Sequence, residues 1–469
     1  MTPHHQRDDE APAEQGPYSE PAGDDPAGGG ETGSVSVGNY GFPSALWRGI
    51  AKRPPPVLSR IRWRSPLRGP WLTSVFGAVL LVALPVVVMT GLLSYIAYGP
   101  RFGQAYPVQV GWLRLPGLDW PTRPVWLYRL TQGLHVGLGL VIIPVVLAKL
   151  WSVIPRLFAW PPARSLAQLL ERVTLLMLVG GILFEIVTGI LNIQYGYVFG
   201  FDFYTAHYFG AWVFIAGFVC HLCLKLPTMV RSLRSRSMRS VLGTSRADTV
   251  PEPPDPTGLV ALDPDPPTLS RRGALALVGG ETLLVAVLTA RQTVGGFTRS
   301  AALLLPRGRS YGNGPNDFQI NRTAAAAGID TAASGPSWRL ELLGGPRPVL
   351  LDRAALQAME QHTVELPIAC VEGWSTTQTW TGIRLADLAA AAGRPRPGSA
   401  LVVSMERFGA FNRAVLAANQ ILDPDALLAL RVNGADLSLD HGYPARIIVA
   451  ALPGVHNTKW VSSIQFRDS

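Results

Sequence analysis

Cysteine is almost missing from this chain: 469 residues hold three, Cys220, Cys223 and Cys370. Cys220 and Cys223 lie inside an apolar run, so a disulfide-stapled scaffold is not expected. Charge is scarce as well, at 16% of residues. The net charge of +9 does not make a nucleic-acid footprint, because Lys and Arg flank apolar runs, where they act as topology signals. Nucleic acid is therefore not an expected partner. No basic, then apolar, leader opens the chain. Its first 45 residues are polar, acidic and rich in Gly and Pro, and are expected to form a disordered tail.

What the chain has in quantity is long apolar runs. Residues 72–95, 130–148, 173–195 and 208–226 are each long enough to span hydrocarbon. Together they predict a four-helix bundle over residues 46–240, in a multi-pass protein of the cell membrane. Arg48, Lys52, Arg53, Arg60, Arg62, Arg64 and Arg68 precede the first run. Lys149, Arg156, Arg164 and Arg172 separate the second from the third, and Lys225, Arg231, Arg234, Arg236 and Arg239 follow the fourth. An even number of crossings puts these three basic segments on one side, which the positive-inside rule makes cytoplasmic. Residues 241–270 read as a Pro/Asp-rich linker. Arg271-Arg272 then precedes an apolar run, so residues 271–292 read as a fifth helix or as an internal twin-arginine-like export signal. Either reading puts the remainder outside.

Residues 299–469 differ in character. Short apolar runs at 401–403 and 446–450 predict strands, and 353–361 and 385–392 predict helices, giving an α+β domain. Cys370 stands here in Ala369-Cys370-Val371-Glu372-Gly373-Trp374-Ser375. A lone thiol in such a run is a nucleophile, a ligand for a soft metal, or a small buried packing residue.

The stretch resembles the molybdenum-ligating segment of sulfite oxidase-like molybdopterin oxidoreductases. Three further motifs follow the family's order: Asn316-Asp317-Phe318-Gln319-Ile320-Asn321-Arg322-Thr323, Asp440-His441-Gly442-Tyr443-Pro444-Ala445-Arg446, and Gly454 with His456 to Trp460. The resemblance implies oxygen-atom transfer at molybdenum, with Cys370 as metal ligand and Asn321 beside the metal. It also implies that Asn316, Phe318, Glu372, His441, Arg446, Lys459 and Trp460 contact the cofactor. Ile320 stands near the position of an arginine that animal sulfite oxidases use to attract an anion. The family's active-site tyrosine is not evident, and Glu406 to Arg413 occupies that region. The missing arginine argues against tight sulfite binding and brings the site closer to the bacterial methionine-sulfoxide reductase branch, which has an asparagine near the metal.

Oxygen-atom transfer moves two electrons. His135 and His221 lie in the apolar runs and His207 at the outer mouth of the fourth, where ionisable residues are functional candidates. His207 and His221 are fourteen residues apart, close to four helical turns. The runs resemble four-helix b-type cytochrome subunits, which implies haem b. By depth His135 and His207 both belong near the outer face, where they could share one haem, with His221 as a further cofactor candidate; the membrane location makes the quinone pool the expected redox partner. Two alternatives stand beside this one: helices that only anchor an enzyme served by a soluble electron partner, and an external domain that binds a ligand without chemistry. Glu185 in the third run suits a proton path or a pairing with a neighbouring span.

Overall fold

The computed structural model describes residues 63–98, 118–160, 165–193, 203–254, 258–294, 314–407 and 412–468. The expected tail, and the arginines and lysines before residue 63, lie outside these residues, as do residues 408–411. Phe42–Ser469 forms one compact unit.

Among the described residues, seven helices come first. α1 spans Pro70–Tyr98, α2 Leu127–Val141, α3 Ile143–Leu157, α4 Leu166–Asn192, α5 Tyr204–Arg234, α6 Met238–Gly243 and α7 Arg271–Val294. α1, α4, α5 and α7 contain segments long and apolar enough to cross a membrane, and the α2–α3 pair is a fifth candidate if it counts as one span. The second expected run, 130–148, falls on that pair, which is bent by 40°. Pro144 has no N–H, and its ring collides with the carbonyl one turn back, so the helix restarts there. Pro85 in α1 causes no such break. α4 packs on α5, α1 on α2, α3 and α5, and α7 on α2 and α3.

The segment expected to be a free linker is pinned. Glu252 is buried, accepts a hydrogen bond from Trp71 N at 3.2 Å, and lies beside Arg271. A carboxylate at a helix start suits the positive end of the helix dipole. Gly69 makes room for it, since a Cβ there would lie 2.5 Å from Glu252 Cδ. Arg64 pairs with Asp263 and Asp265, and Trp71 Nε1 donates to Arg236 O.

The carboxy-terminal part is a mixed α/β domain, with short helices falling between strands. Its strands are β1 Leu340–Leu343, β2 Val349–Leu351, β3 His362–Ala369, β4 Ser375–Arg384, β5 Ser399–Ser404, β6 Arg413–Ala417, β7 Leu427–Val432, β8 Ala435–Asp436, β9 Arg446–Ile448 and β10 Val461–Arg467. The helices α8 Arg353–Ala358, α9 Leu385–Ala391 and α10 Ala418–Ile421 intervene. One sheet runs β2-β1-β10-β5-β6 and the other β3-β4-β7-β8, with β9 also on β7. Among the described strand pairs, β1–β10 is the parallel one and the others are antiparallel. β7 is buried at every position but Arg431, as a strand covered on both faces must be.

Gly382 marks a register shift between β4 and β7. A Cβ there would run into Leu428 O and stand 2.7 Å from Ala429 Cα, both backbone atoms. Gly382→Ala is expected to lower stability by about 1–3 kcal/mol, the cost of forcing backbone apart in a packed core. A thermal melt checks it.

Candidate cofactor site

Cys370 lies at the end of β3, where the chain turns into β4. Cys370 N donates to Trp374 O at 2.9 Å, and Gly373 N donates to Cys370 O at 3.0 Å. Gly373 closes the turn at φ +90°, a conformation that favours glycine. Cys370 is 3% exposed. The segment after β9 braces the turn from behind, with Gly454 N donating to Ala369 O at 2.7 Å. Trp374 Nε1 donates to Glu372 Oε2 at 2.7 Å, which holds that carboxylate against the turn.

Opposite the thiol stands a set of cations and donors. Arg446 opens β9 and is buried, with Nη1 donating to His441 O and Nη2 to Asn457 O. Lys459 Nζ donates to Arg322 O and Asp440 O, and lies 4.5 Å from the Trp460 ring centroid. Trp460 Nε1 donates to Leu439 O. Arg322 pairs with Glu406 at 2.8 Å. Asn321 Oδ1 accepts from Arg322 N.

Burial brings the Lys459 ammonium down from 10.5 to about 7, helped by the nearby Arg446 charge and opposed by Asp440, Glu406 and Cys370. Burial likewise brings Arg446 down to about 9. It brings His441 down to about 3, with Arg446 and Lys459 adding to the effect. Glu406 is raised by burial against the pull of Arg322 and Lys459. In the cofactor-free protein, the unfolded chain holds the Lys459 proton more tightly than the folded one. The resulting penalty is fully present below pH 7 and fades as pH rises towards 10.5. The melting temperature is therefore expected to gain from Lys459 between pH 7 and 9, and Lys459→Met should flatten that rise in a pH series of melts.

Three of these side chains keep an unused polar atom. Arg446 Nε, Asn457 Nδ2 and Thr458 Oγ1 are buried without a hydrogen-bond partner among the described residues. All three residues line one cavity of about 940 Å³, together with Cys370, Glu372, Asn321, Lys459 and Trp460. A buried donor left unmade costs roughly 1–3 kcal/mol, so the donor set fits an anionic, oxygen-rich group beside a thiolate. Among the described residues, no three His, Cys, Asp or Glu side chains are grouped to hold a bare ion.

Asn316, Phe318 and His441 fall outside that cavity. Asn316 bridges Asp436 O and Ser438 N, and accepts from His441 Nε2 through its own carbonyl. His441 stacks on Phe318 at 3.6 Å. The two rings flank a small recess beside Cys370, with Ile320 and Ile368. Arg446 and Lys459 line the same recess. Asn457 and Thr458 are the donors that a reading centred on charged residues passes over; their signal is adjacency to Lys459.

The same cavity continues between the helices. His135 of α2 and His207 of α5 line it, with ring centroids 6.1 Å apart and planes at 82°. His135 Nδ1 bonds Val87 O at 2.9 Å. His207 Nδ1 bonds Thr188 Oγ1 at 2.9 Å and lies 3.0 Å from Glu185 Oε2. Engaging Nδ1 orients each ring and leaves Nε2 as its metal-binding nitrogen. Gly91 and Gly189 lie against the rings, where a Cβ would stand 2.7 Å and 3.3 Å from the two Cε1 atoms. His221 does not line the cavity; its charged neighbours are Lys149, Lys225 and Glu171.

Residues 327–469 match the family model for the oxidoreductase molybdopterin binding domain. The carboxy-terminal domain is a molybdopterin-binding domain of the sulfite oxidase family. This molybdopterin domain is 30% identical over 131 residues to the uncharacterized oxidoreductase YuiH of Bacillus subtilis (strain 168), covering 28% of this chain and 65% of that protein. Against mitochondrial sulfite oxidase of Mus musculus it is 29% identical over 156 residues, covering 27% of this chain and 29% of that one. The chain thus spans less than two thirds of either relative's length. The sulfane dehydrogenase SoxCD from Paracoccus pantotrophus overlaps 29% of this chain and 39% of its own at 22% identity, with a TM-score of 0.27. The cofactor implied for the molybdopterin domain is molybdopterin–molybdenum, and the residues fit it: a buried thiol for the metal, with Arg446, Lys459, Asn457 and Thr458 for the phosphate.

Proposed function

We propose that the chain is a membrane-bound, molybdopterin-dependent oxidoreductase. It transfers an oxygen atom to or from a sulfur-containing substrate of sulfite or sulfoxide type, and exchanges electrons with membrane quinone through a haem b held by His135 and His207. One observation carries the reading: Cys370 and the histidine pair line a single cavity.

Several features support it. The 6.1 Å between the imidazole centroids suits two rings sharing one metal atom at bonds of about 2 Å each. Val82 and Leu176 are 72% and 71% exposed on the helices, an apolar surface that lipid would cover. The basic residues gather at the helix ends away from the molybdopterin domain: Arg68 donates to Trp151 O, and Arg271 to Pro66 O. The positive-inside rule makes that end cytoplasmic and the domain external. Arg271 is 3% exposed, which favours α7 as a fifth crossing whose first arginine serves the fold over a twin-arginine signal.

When bound, the molybdenum group supplies two-electron oxygen-atom transfer. Cys370 holds the metal, and its burial at the β3–β4 turn keeps water from the thiolate. Arg446 and Lys459 neutralise the phosphate, and Trp460 shields Lys459. Asn321 lines the cavity between these cations and Cys370. Ile320 and Ile368 share the recess beside Cys370 with Arg446 and Lys459.

The test is metal analysis and a reduced-minus-oxidised visible spectrum on one detergent-purified sample of the full chain. Equimolar molybdenum with a b-type haem spectrum is expected. Molybdenum without haem would reduce the helices to an anchor, and neither would overturn the enzyme reading.

A further inference from the structure

The loop that carries Cys370 rests on the turn of α2 that carries His135. Gln132, His135 and Val136 share one face of that helix, at i, i+3 and i+4. Gln132 is 6% exposed. Its Nε2 donates to Val371 O, the carbonyl next to Cys370, and its Oε1 accepts from Ser94 Oγ of α1. Gly373 comes so close to Val136 that a Cβ on it would lie 2.6 Å from the valine Cβ.

The docking around this contact is part of the fold. Trp120 Nε1 donates to Ala451 O at 2.8 Å, and His456 bonds Tyr98 O at 3.0 Å. Arg123 pairs with Asp423 and Asp425. Tyr95, Tyr98, Trp120 and Tyr208 share one buried cluster with Ala369 and Leu452. A surface meant for a passing partner would not be continuous with the core of the domain.

We infer that Gln132 is a positioning residue that ties the Cys370 loop to the His135 turn. It makes a fixed junction through which electrons pass between the two cofactor sites of one chain, without a mobile carrier. The inference rests on the function proposed above. From Cys370 the path runs through one peptide to Val371 O, crosses a single hydrogen bond to Gln132, and reaches His135 three residues along. At the helix side a quinol is oxidised to quinone, giving two electrons and two protons. At the domain side a sulfoxide takes two electrons and two protons and leaves as sulfide and water.

Gln132→Met keeps the length of the side chain and removes both hydrogen bonds. The experiment uses the full chain in detergent: haem is reduced with a soluble quinol, dimethyl sulfoxide is added, and haem reoxidation is followed by stopped flow. The variant is expected to keep wild-type molybdenum content and haem spectrum, to melt somewhat lower for the two buried hydrogen bonds lost, and to show reoxidation slowed about tenfold or more, the usual scale for losing a partner just outside a metal's ligands. An unchanged rate would overturn the inference. So would loss of molybdenum or haem in the variant, which would make Gln132 merely structural. A wild-type chain lacking either group fails the proposed function instead, and takes this junction with it; metal analysis sees that before any variant is made.

Discussion

Cys370→Ser is expected to fold normally and to lose molybdenum-dependent turnover. Ser differs from Cys by one atom of similar size, so the buried turn at the end of β3 keeps its packing and its hydrogen bonds to Trp374 and Gly373. What changes is the donor: a hydroxyl is a hard, protonated oxygen, where a molybdenum centre with sulfur ligands takes a soft thiolate. Loss of groups one shell further out costs 10–100-fold in metal affinity or activity, so replacing a ligand itself should cost more than about 100-fold. A packing role predicts the opposite pattern, with a lower melting temperature and unchanged turnover. Turnover, molybdenum content and a melt on the same preparation separate the two. Wild-type turnover in the serine variant would end the case for Cys370 as ligand.

His135→Ala and His207→Ala are each expected to abolish the haem spectrum while molybdenum is retained, and His221→Ala to leave it intact. The two rings face one another across the cavity, and each is oriented through Nδ1: His135 by Val87 O, His207 by Thr188 and Glu185. Either alanine leaves an iron with one protein ligand. His221 lies on the same helix as His207 but contributes nothing to the cavity wall. The His207 variant also strips Glu185 of a partner in a buried setting, at roughly 1–3 kcal/mol, so the His135 variant is the cleaner test. Visible spectra of the three purified variants, read against their molybdenum content, decide it. A surviving spectrum in both His135→Ala and His207→Ala would remove these two histidines as the haem's ligands.

Much of this was readable from the chain because it is local. The motif around Cys370 and the run from His456 to Trp460 are short, and their chemistry follows from residue type and order. The apolar runs announced their helices because spanning length and absence of charge are properties of consecutive residues. Other features were ambiguous locally. Pro85 and Pro144 both fall in apolar runs, yet only the second ends a helix; the packing on either side decides whether the lost hydrogen bond is tolerated. The Pro/Asp-rich segment reads as a linker by composition, but Glu252 finds a buried place under Trp71.

The sequence by itself determined the molybdopterin domain, the apolar helices and the two histidines whose spacing from the ends of their runs puts them at similar depth. Only the tertiary structure decided that those histidines and Cys370 share one cavity, that Phe318 and His441 line a separate recess beside Cys370, and that Gln132 reaches Val371. The physical reason is separation along the chain. Gln132 and Val371 are 239 residues apart, and Tyr98 and His456 358. Periodicity and propensity act over a few residues, whereas contacts at that distance exist only once two folded surfaces have packed together.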